Sequence, residues 1–347
     1  MATKLLHNVQ VARFVAAASV LTTHTADLLL PSDSTIFAFP WTFGVDIFFV
    51  ISGFIMMYLA HDRFGEPGAA GDFLLRRLIR IVPPYWIFTT LMLATALLFD
   101  AQVRNTEAAP AQIATSYVFL PWPRGDGQLN PLLSQGWTLN YELFFYLCFS
   151  AALLVRRGFT VLAVSFAALS AVHAWIPQEL FMLRFWTAPI ILEFVAGMLL
   201  ARAFLRGWRI SAPAALALAA AGIVLALAPD IRELGRVFNM GVPALLICAA
   251  LILLPEPERI GWSGRALRAG GDASYALYLS HTFTINAVVL LWRKVGLGAP
   301  WLGVAVGMVT AIAAAVLFYR VVERPMTNAL QRLAGARPVR GAATVAP

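Results

Sequence analysis

Residues 42–60 read TFGVDIFFVISGFIMMYLA, an apolar run with a single charged side chain, Asp46, near its start. A helix needs about 20 mostly apolar residues to cross the hydrocarbon core of a bilayer. Inside that core the backbone must satisfy its own hydrogen bonds, which a helix does within one segment. The run is therefore typical of a membrane-spanning helix.

Nine further apolar runs of similar length predict an all-α, polytopic membrane protein with about ten transmembrane helices. They cover residues 9–30, 79–99, 137–155, 159–176, 187–205, 212–228, 238–254, 273–292 and 300–321. We expect residues 1–325 to form a single transmembrane domain. Residues 326–347, rich in Ala, Gly and Arg, are expected to be a disordered cytoplasmic tail.

The composition supports this class, since 60% of the 347 residues are hydrophobic and only 13% are charged. Soluble domains carry about 25% charged residues. This excludes a disordered chain, a disulfide scaffold and a soluble nucleic-acid-binding protein. Cys148 and Cys248 each lie inside an apolar run, so neither a metal site nor a disulfide framework is indicated.

The distribution of positive charge predicts the orientation of the chain. Most of the 26 Lys and Arg residues lie between the runs on the side that also holds the N-terminus. Because cytoplasmic loops carry the excess of Lys and Arg, both termini are expected in the cytoplasm.

Several ionisable residues lie inside the runs, where each is costly and therefore a candidate for function. His24, Asp46 and Glu142 fall at similar depth in the outer half of their runs. A base beside an orienting carboxylate is suited to taking a proton from a hydroxyl, so we expect His24 to be a general base oriented by Asp46 or Glu142. A helix cap for Asp46 and a structural ion pair for Glu142 stay open as alternatives. Glu193, in another run, could be packed or ion-paired.

A second cluster, Arg76, Arg77 and Arg80, lies at the start of the run at 79–99. Arg77 and Arg80 share one helical face, and such guanidinium groups bind phosphate well. Lipid headgroups are the alternative partner, because the same charges also satisfy the topology rule.

Taken in order, six motifs resemble the acyltransferase-3 family of bacterial integral-membrane acyltransferases over about residues 8–326. They are Gln10-x-x-Arg13 with His24 ten intervening residues later, Gly44–Phe54, Arg76-Arg77-x-x-Arg80-Ile81-x-Pro83-x-Tyr85, Trp137-Thr138-Leu139-x-x-Glu142, Ser274–Leu279 followed by His281, and Glu323-Arg324-Pro325. Many members carry Asp where this chain has Gln10, and the Gln form is most like the exopolysaccharide O-acetyltransferases.

The resemblance implies ten core helices, an acyl-CoA donor and a hydroxyl acceptor that is usually on a sugar. It also implies that Arg13 and His24 are essential and that the arginine motif binds the donor. We accordingly expect acetyl-CoA as donor and a cell-surface carbohydrate, free or lipid-linked, as acceptor. Succinyl or longer acyl donors and a small-molecule acceptor stay open.

The remaining expected site residues line the two substrates. Tyr85, Tyr278 and His281 are assigned to the acyl donor, although His281 could instead fix helix packing. Trp137 and Trp122 are assigned to the acceptor, and Trp122 lies in the long segment 100–136, which either lines the site or simply connects two helices. We expect no permanently bound cofactor, no metal, and a location in the bacterial cytoplasmic membrane.

A proton-coupled transporter or a flippase of a polysaccharide intermediate is the alternative from another class. Ten spans with buried Arg, His and Glu would serve it equally well. Such folds often contain inverted repeats and paired broken helices, and neither pattern is visible in the sequence.

Overall fold

The computed structural model describes residues 6–98, 109–125, 127–228 and 235–335, and the regular structure in these ranges is helical, with no strand. The prediction of an all-α protein is confirmed. The chain divides into two compact units. Unit 1 comprises Met1–His61 and Leu192–Pro347, and unit 2 comprises Asp62–Ile191.

Unit 1 is built from the two ends of the chain. Its helices are α1 (His7–Leu29), α2 (Gly44–Ala60), α8 (Ile191–Leu205, which starts at the unit boundary), α9 (Ala212–Leu227), α10 (Val242–Ile252), α11 (Trp262–Asp272), α12 (Ser274–Val295), α13 (Pro300–Phe318) and α14 (Arg324–Leu333). Two π-helical turns, Val237–Gly241 and Tyr319–Glu323, lead into α10 and α14.

Unit 2 holds the middle of the chain. Its helices are α3 (Ala69–Leu98), α4 (Pro110–Tyr117), α5 (Trp137–Leu153), α6 (Gly158–Val172) and α7 (Phe181–Thr187). Helix α5 packs between α3 and α6, while α4 packs on α3 and α7 on α6.

Helix α1 is central to unit 1, because it packs against α2, α10, α11, α12 and α13. It is also among the more polar of the predicted spans, and polar residues such as Gln10, Arg13 and Thr25 are buried in it. Polar side chains at membrane depth generally face other helices or a cavity rather than lipid. The central position of α1 therefore explains how it holds the ionisable residues that the sequence analysis singled out.

Within the described ranges, six helical stretches are long and apolar enough to cross a membrane. They are Trp41–Ala60, Ala69–Leu98, Gly158–Trp175, Phe181–Leu205, Ser274–Val295 and Pro300–Leu333. Two shorter apolar helices cover Ala212–Leu227 and Val237–Ile252. Each of the ten predicted runs contains helix, but the number of spans and the orientation of the termini stay predictions.

One helix extends beyond its predicted run, and one prediction is wrong. Helix α3 begins at Ala69, before the run predicted at 79–99, and an ion pair between Asp72 and Arg76, one turn apart, stabilises its first turns. The tail predicted to be disordered from residue 326 is helical to Leu333, where apolar residues Met326 and Leu330 recur at helical spacing. Residues 336–347 lie outside the described ranges.

Candidate active site

Two histidines meet inside unit 1. The rings of His24, on α1, and His281, on α12, contact each other with centroids 5.1 Å apart and planes inclined by 30°. Histidine serves in catalysis as a general acid or base, which makes this pair a candidate site for chemistry.

Backbone contacts fix the tautomer of His281. Its Nδ1 atom lies 2.8 Å from the carbonyl oxygen of Tyr278 and 3.1 Å from that of Leu277. Both partners are acceptors, so Nδ1 carries the hydrogen and donates it. In the neutral ring Nε2 is then left with a lone pair and no hydrogen.

The two rings differ in exposure. His281 is 2% exposed, whereas His24 is an exposed residue. Among the described residues, no hydrogen bond involves the His24 ring, and the carboxylate that acts on it electrostatically is Asp27, three residues further along α1. His24 therefore presents an accessible imidazole beside a carboxylate and a buried second imidazole.

The contact between His24 and His281 corrects the expected depth of His281. If the run at 273–292 started at the inner membrane boundary, His281 would lie nearer the cytoplasmic side than His24. Instead α11 precedes it and packs along the first half of α1, where Gly270 lies against Phe14 and Gly271 against the Gln10 carbonyl. Helix α12 thus starts part-way along α1, which brings His281 level with His24.

Arg13 and Tyr278, two further predicted site residues, also lie in unit 1. Arg13 is 7% exposed, and its guanidinium donates to Oε1 of Gln10 at 3.0 Å. Tyr278 is 7% exposed and its ring lies 5.9 Å from that of Phe48. Gln10 is thus a neutral hydrogen-bond partner of Arg13.

Asp46 has a different partner from the one expected. It is 1% exposed and forms an ion pair of 2.7 Å with Arg236, at the π-helical turn before α10. Glu193 is also buried and lies 4.0 Å from the same guanidinium. The expected pairing of Asp46 with His24 is therefore corrected: Asp46 and Glu193 share Arg236 as a buried ionic cluster.

The arginine motif lies in unit 2, on the early turns of α3, and most of it is engaged. Arg76 pairs with Asp72 at 2.9 Å, and Asp72 also pairs with Arg63 at 2.9 Å. Arg77 lies over the rings of Phe73 and Tyr146, at 5.8 Å and 5.9 Å from their centroids. Among the described residues, Arg80 makes neither an ion pair nor a hydrogen bond. Of the three arginines expected to bind phosphate, Arg80 is thus the one without such a partner among the described residues.

Glu142 belongs to the same cluster. It accepts a hydrogen bond from the Tyr146 hydroxyl, one turn further along α5, and interacts electrostatically with Arg77. This supports the alternative of a structural ion pair that the sequence left open. The expected pairing of Glu142 with His24 joins residues of different units and stays a prediction.

The aromatic residues assigned to the substrates in unit 2 differ in exposure. Tyr85 is fully buried with its ring 4.6 Å from that of Phe119, and its assignment to the donor stays a prediction. Because α3 starts at Ala69, Tyr85 lies deep in that helix and not at its end. Trp137 and Trp122 are partly exposed, and their role toward the acceptor stays a prediction.

The segment expected to line a site or to connect helices is described from residue 109. Its helix α4 is tied to α3, because the Trp86 indole donates to the Tyr117 carbonyl at 2.9 Å. Ser116 accepts a hydrogen bond from the Leu132 backbone at 2.8 Å. The segment is thus packed on its own unit.

Two features of the His24 environment were missed from the sequence. Asp27 is three residues from His24, a spacing that places both on one helical face, so the signal was present. The contact with His281 carried no such signal, because it depends on the packing of α11. Within the described ranges, no group of three or more His, Cys, Asp or Glu side chains could hold a metal ion.

Comparison with known proteins assigns the chain to a family. The family model described as an acyltransferase domain matches residues 6–320. The chain is 36% identical over 297 residues to the exopolysaccharide production protein ExoZ of Rhizobium meliloti (strain 1021), covering 82% of this chain and 88% of that protein. No solved structure matches. With a match over most of its length, this membrane protein belongs to the acyltransferase-3 family.

Proposed function

We propose that the protein is a membrane-embedded O-acyltransferase of the bacterial cytoplasmic membrane. It moves an acyl group, with acetyl as the expected case, from cytoplasmic acyl-CoA to a hydroxyl of a cell-surface carbohydrate or its lipid-linked precursor. Membership of the family supports the reaction type, and the similarity to a protein named for exopolysaccharide production supports a carbohydrate acceptor.

The observation that carries the proposal is the accessible His24 imidazole. It lies on the central helix of unit 1, in contact with His281 and within the field of Asp27. An exposed imidazole without a hydrogen-bond partner among the described residues is ready to receive a proton from a bound hydroxyl.

The reaction then needs two proton transfers, one from the acceptor hydroxyl to His24 and one from His24 to the departing thiolate. His24 accepts the hydroxyl proton while the hydroxyl oxygen attacks the thioester carbonyl carbon. The new C–O bond forms, the C–S bond breaks, and the proton passes from His24 to the departing thiolate, so the products are an ester and CoA. The Asp27 carboxylate stabilises the transient imidazolium by charge attraction.

Arg80 is the first residue that we assign to the phosphates of the donor. Hydrogen bonds from a guanidinium to phosphate are charge-assisted and among the stronger ones in proteins. Arg76 and Arg77 would support this site with their positive charge while Asp72, Phe73 and Tyr146 hold them in place.

The test uses the full-length protein, purified in lipid nanodiscs, with acetyl-CoA labelled in the acetyl group. The acceptor is the polysaccharide of the host strain from which the gene has been deleted, cut into repeat-unit fragments. We expect label in base-labile esters on the fragments together with release of free CoA. Intact acetyl-CoA and unlabelled fragments would contradict the proposal and favour the transporter alternative.

Acyl specificity is measured in the same assay by replacing acetyl-CoA with succinyl-CoA or butyryl-CoA. The expected result is a preference for acetyl-CoA. Faster transfer from one of the longer donors would correct the acyl group while keeping the reaction type.

A further inference from the structure

His281 is not used by the reaction described above, although its ring touches that of the proposed base. One of its nitrogens is committed to two backbone carbonyls, and the ring is buried. The other nitrogen, Nε2, therefore has no role assigned so far.

The surroundings keep His281 neutral. Its neighbours on α12 are the Leu277 and Tyr278 carbonyls and the Tyr278 ring, whose centroid lies 6.1 Å from that of His281. Among the described residues, the facing ring of His24 comes from α1, and no carboxylate forms an ion pair with His281. Because a buried charge without a partner is costly, the ring stays uncharged.

A neutral His281 can only accept a hydrogen bond at Nε2. A thioester carbonyl and a phosphate are themselves acceptors, so neither can bind there. A sugar hydroxyl is a donor and fits this atom. A neutral His281 is therefore unsuited to its expected role as a contact for the reacting carbonyl or the phosphates of acyl-CoA.

Resting on the proposed function, we propose that Nε2 of His281 binds the carbohydrate acceptor by accepting a hydrogen bond from a second hydroxyl of the sugar. His24 takes the proton of the attacking hydroxyl, and His281 holds a neighbouring one. The acceptor is then a polyhydroxylated sugar that is fixed at two points, and this orients the attacking oxygen.

Three variants separate this role from a structural one. In His281→Asn the side-chain amide replaces Nδ1 and keeps the bonds to the two carbonyls, but nothing replaces Nε2. In His281→Gln the longer side chain places an amide oxygen near the position of Nε2. His281→Phe keeps the ring volume and removes both nitrogens.

Each variant is assayed in nanodiscs with acetyl-CoA and the polysaccharide fragments, after its amount in the membrane and its melting temperature are matched to the wild type. We expect His281→Gln to transfer acetyl at least tenfold faster than His281→Asn and His281→Phe at low acceptor concentration. The loss in the latter two is expected as a rise in KM for the fragments of roughly tenfold, as fits one hydrogen bond.

The proposal is overturned if His281→Asn equals or exceeds His281→Gln, including the case where all three variants are equally impaired. It is also overturned if the KM rise falls on acetyl-CoA, which would place an amide N–H of the pantetheine arm at Nε2. Failure of the wild-type protein to label the fragments would instead contradict the proposed function itself.

Discussion

The histidine pair of unit 1 and the arginine motif of unit 2 are both clusters of ionisable groups on apolar helices, yet they differ in how their groups are engaged. Arg76 and Arg77 are held by Asp72 and by two aromatic rings. The His24 ring, in contrast, has no hydrogen-bond partner among the described residues and is accessible. An ionisable residue inside an apolar run is therefore a candidate for function, but it can act on a substrate only if other side chains do not already engage it.

The largest loss of acetyl transfer is expected from substitution of His24, whose ring is accessible. His24→Ala removes the proposed base, and acetyl transfer should fall by about 10²–10⁴-fold, the usual contribution of general-base catalysis. The measurement is the rate of label transfer from acetyl-CoA to the polysaccharide fragments. The matched control is His61→Ala, because His61, which directly follows α2, is exposed and its ring lies within hydrogen-bond distance of the Tyr58 carbonyl. Near-normal transfer by a folded His24→Ala protein would remove His24 from the mechanism.

Within the arginine motif, substitution of Arg80 is expected to weaken donor binding more than substitution of Arg76. Arg80→Gln is expected to raise the KM for acetyl-CoA by about 10–100-fold, because a hydrogen bond to a charged group contributes about 1.5–3 kcal/mol. The KM for the fragments should stay unchanged. Arg76→Gln is the comparison, and we expect a smaller KM effect together with a lower melting temperature, since Arg76 pairs with Asp72. Equal KM effects of the two substitutions would break the distinction between available and engaged arginines.

The position of α12 along α1, which brings His24 and His281 together, can be disturbed without changing either histidine. A Cβ at Gly271 would overlap the Gln10 carbonyl oxygen, so Gly271→Ala must push α11 away from α1. Overpacking of this kind typically costs about 1–3 kcal/mol. We expect a lower melting temperature in detergent and slower transfer. Gly298→Ala is the control, because a Cβ there meets no atom within 4 Å. Unchanged melting and transfer in Gly271→Ala would show that this contact does not set the register.

The smallest effect is expected at the carboxylate beside His24. Asp27 is exposed, and an exposed ion pair contributes about 0.2–1 kcal/mol. Asp27→Asn should therefore slow transfer by less than about fivefold, and high salt should slow the wild type in the same way while leaving the variant unchanged. A loss as large as that of His24→Ala would mean that Asp27 takes a direct part in the reaction.

The helices were predictable because apolar runs of spanning length have few alternatives to a helix in a membrane. Hydropathy alone places the start of the predicted run near residue 79, because the first turns of α3 carry the charges Asp72, Arg76 and Arg77. An ion pair and a ring contact, each at a spacing of one turn, keep those turns helical.

The residues of the site could be predicted from the sequence better than the contacts between them. His24 and Arg13 stand out because ionisable groups are rare in apolar runs. Their partners depend on how far one helix is shifted along another, and hydropathy carries no information on that shift. Asp46 shows the same limit, since its partner Arg236 is 190 positions away in the chain.

Because unit 1 is assembled from the first and last parts of the chain, His24 emerges from the ribosome long before His281 is made. Until α12 arrives, the polar helix α1 lacks most of the neighbours that shield it from lipid. Biogenesis must therefore retain α1 beside the insertion machinery, or in contact with α2, until α12 has been made. Nascent chains that stop short of α12 are expected to be substrates for membrane proteases rather than partly active enzymes.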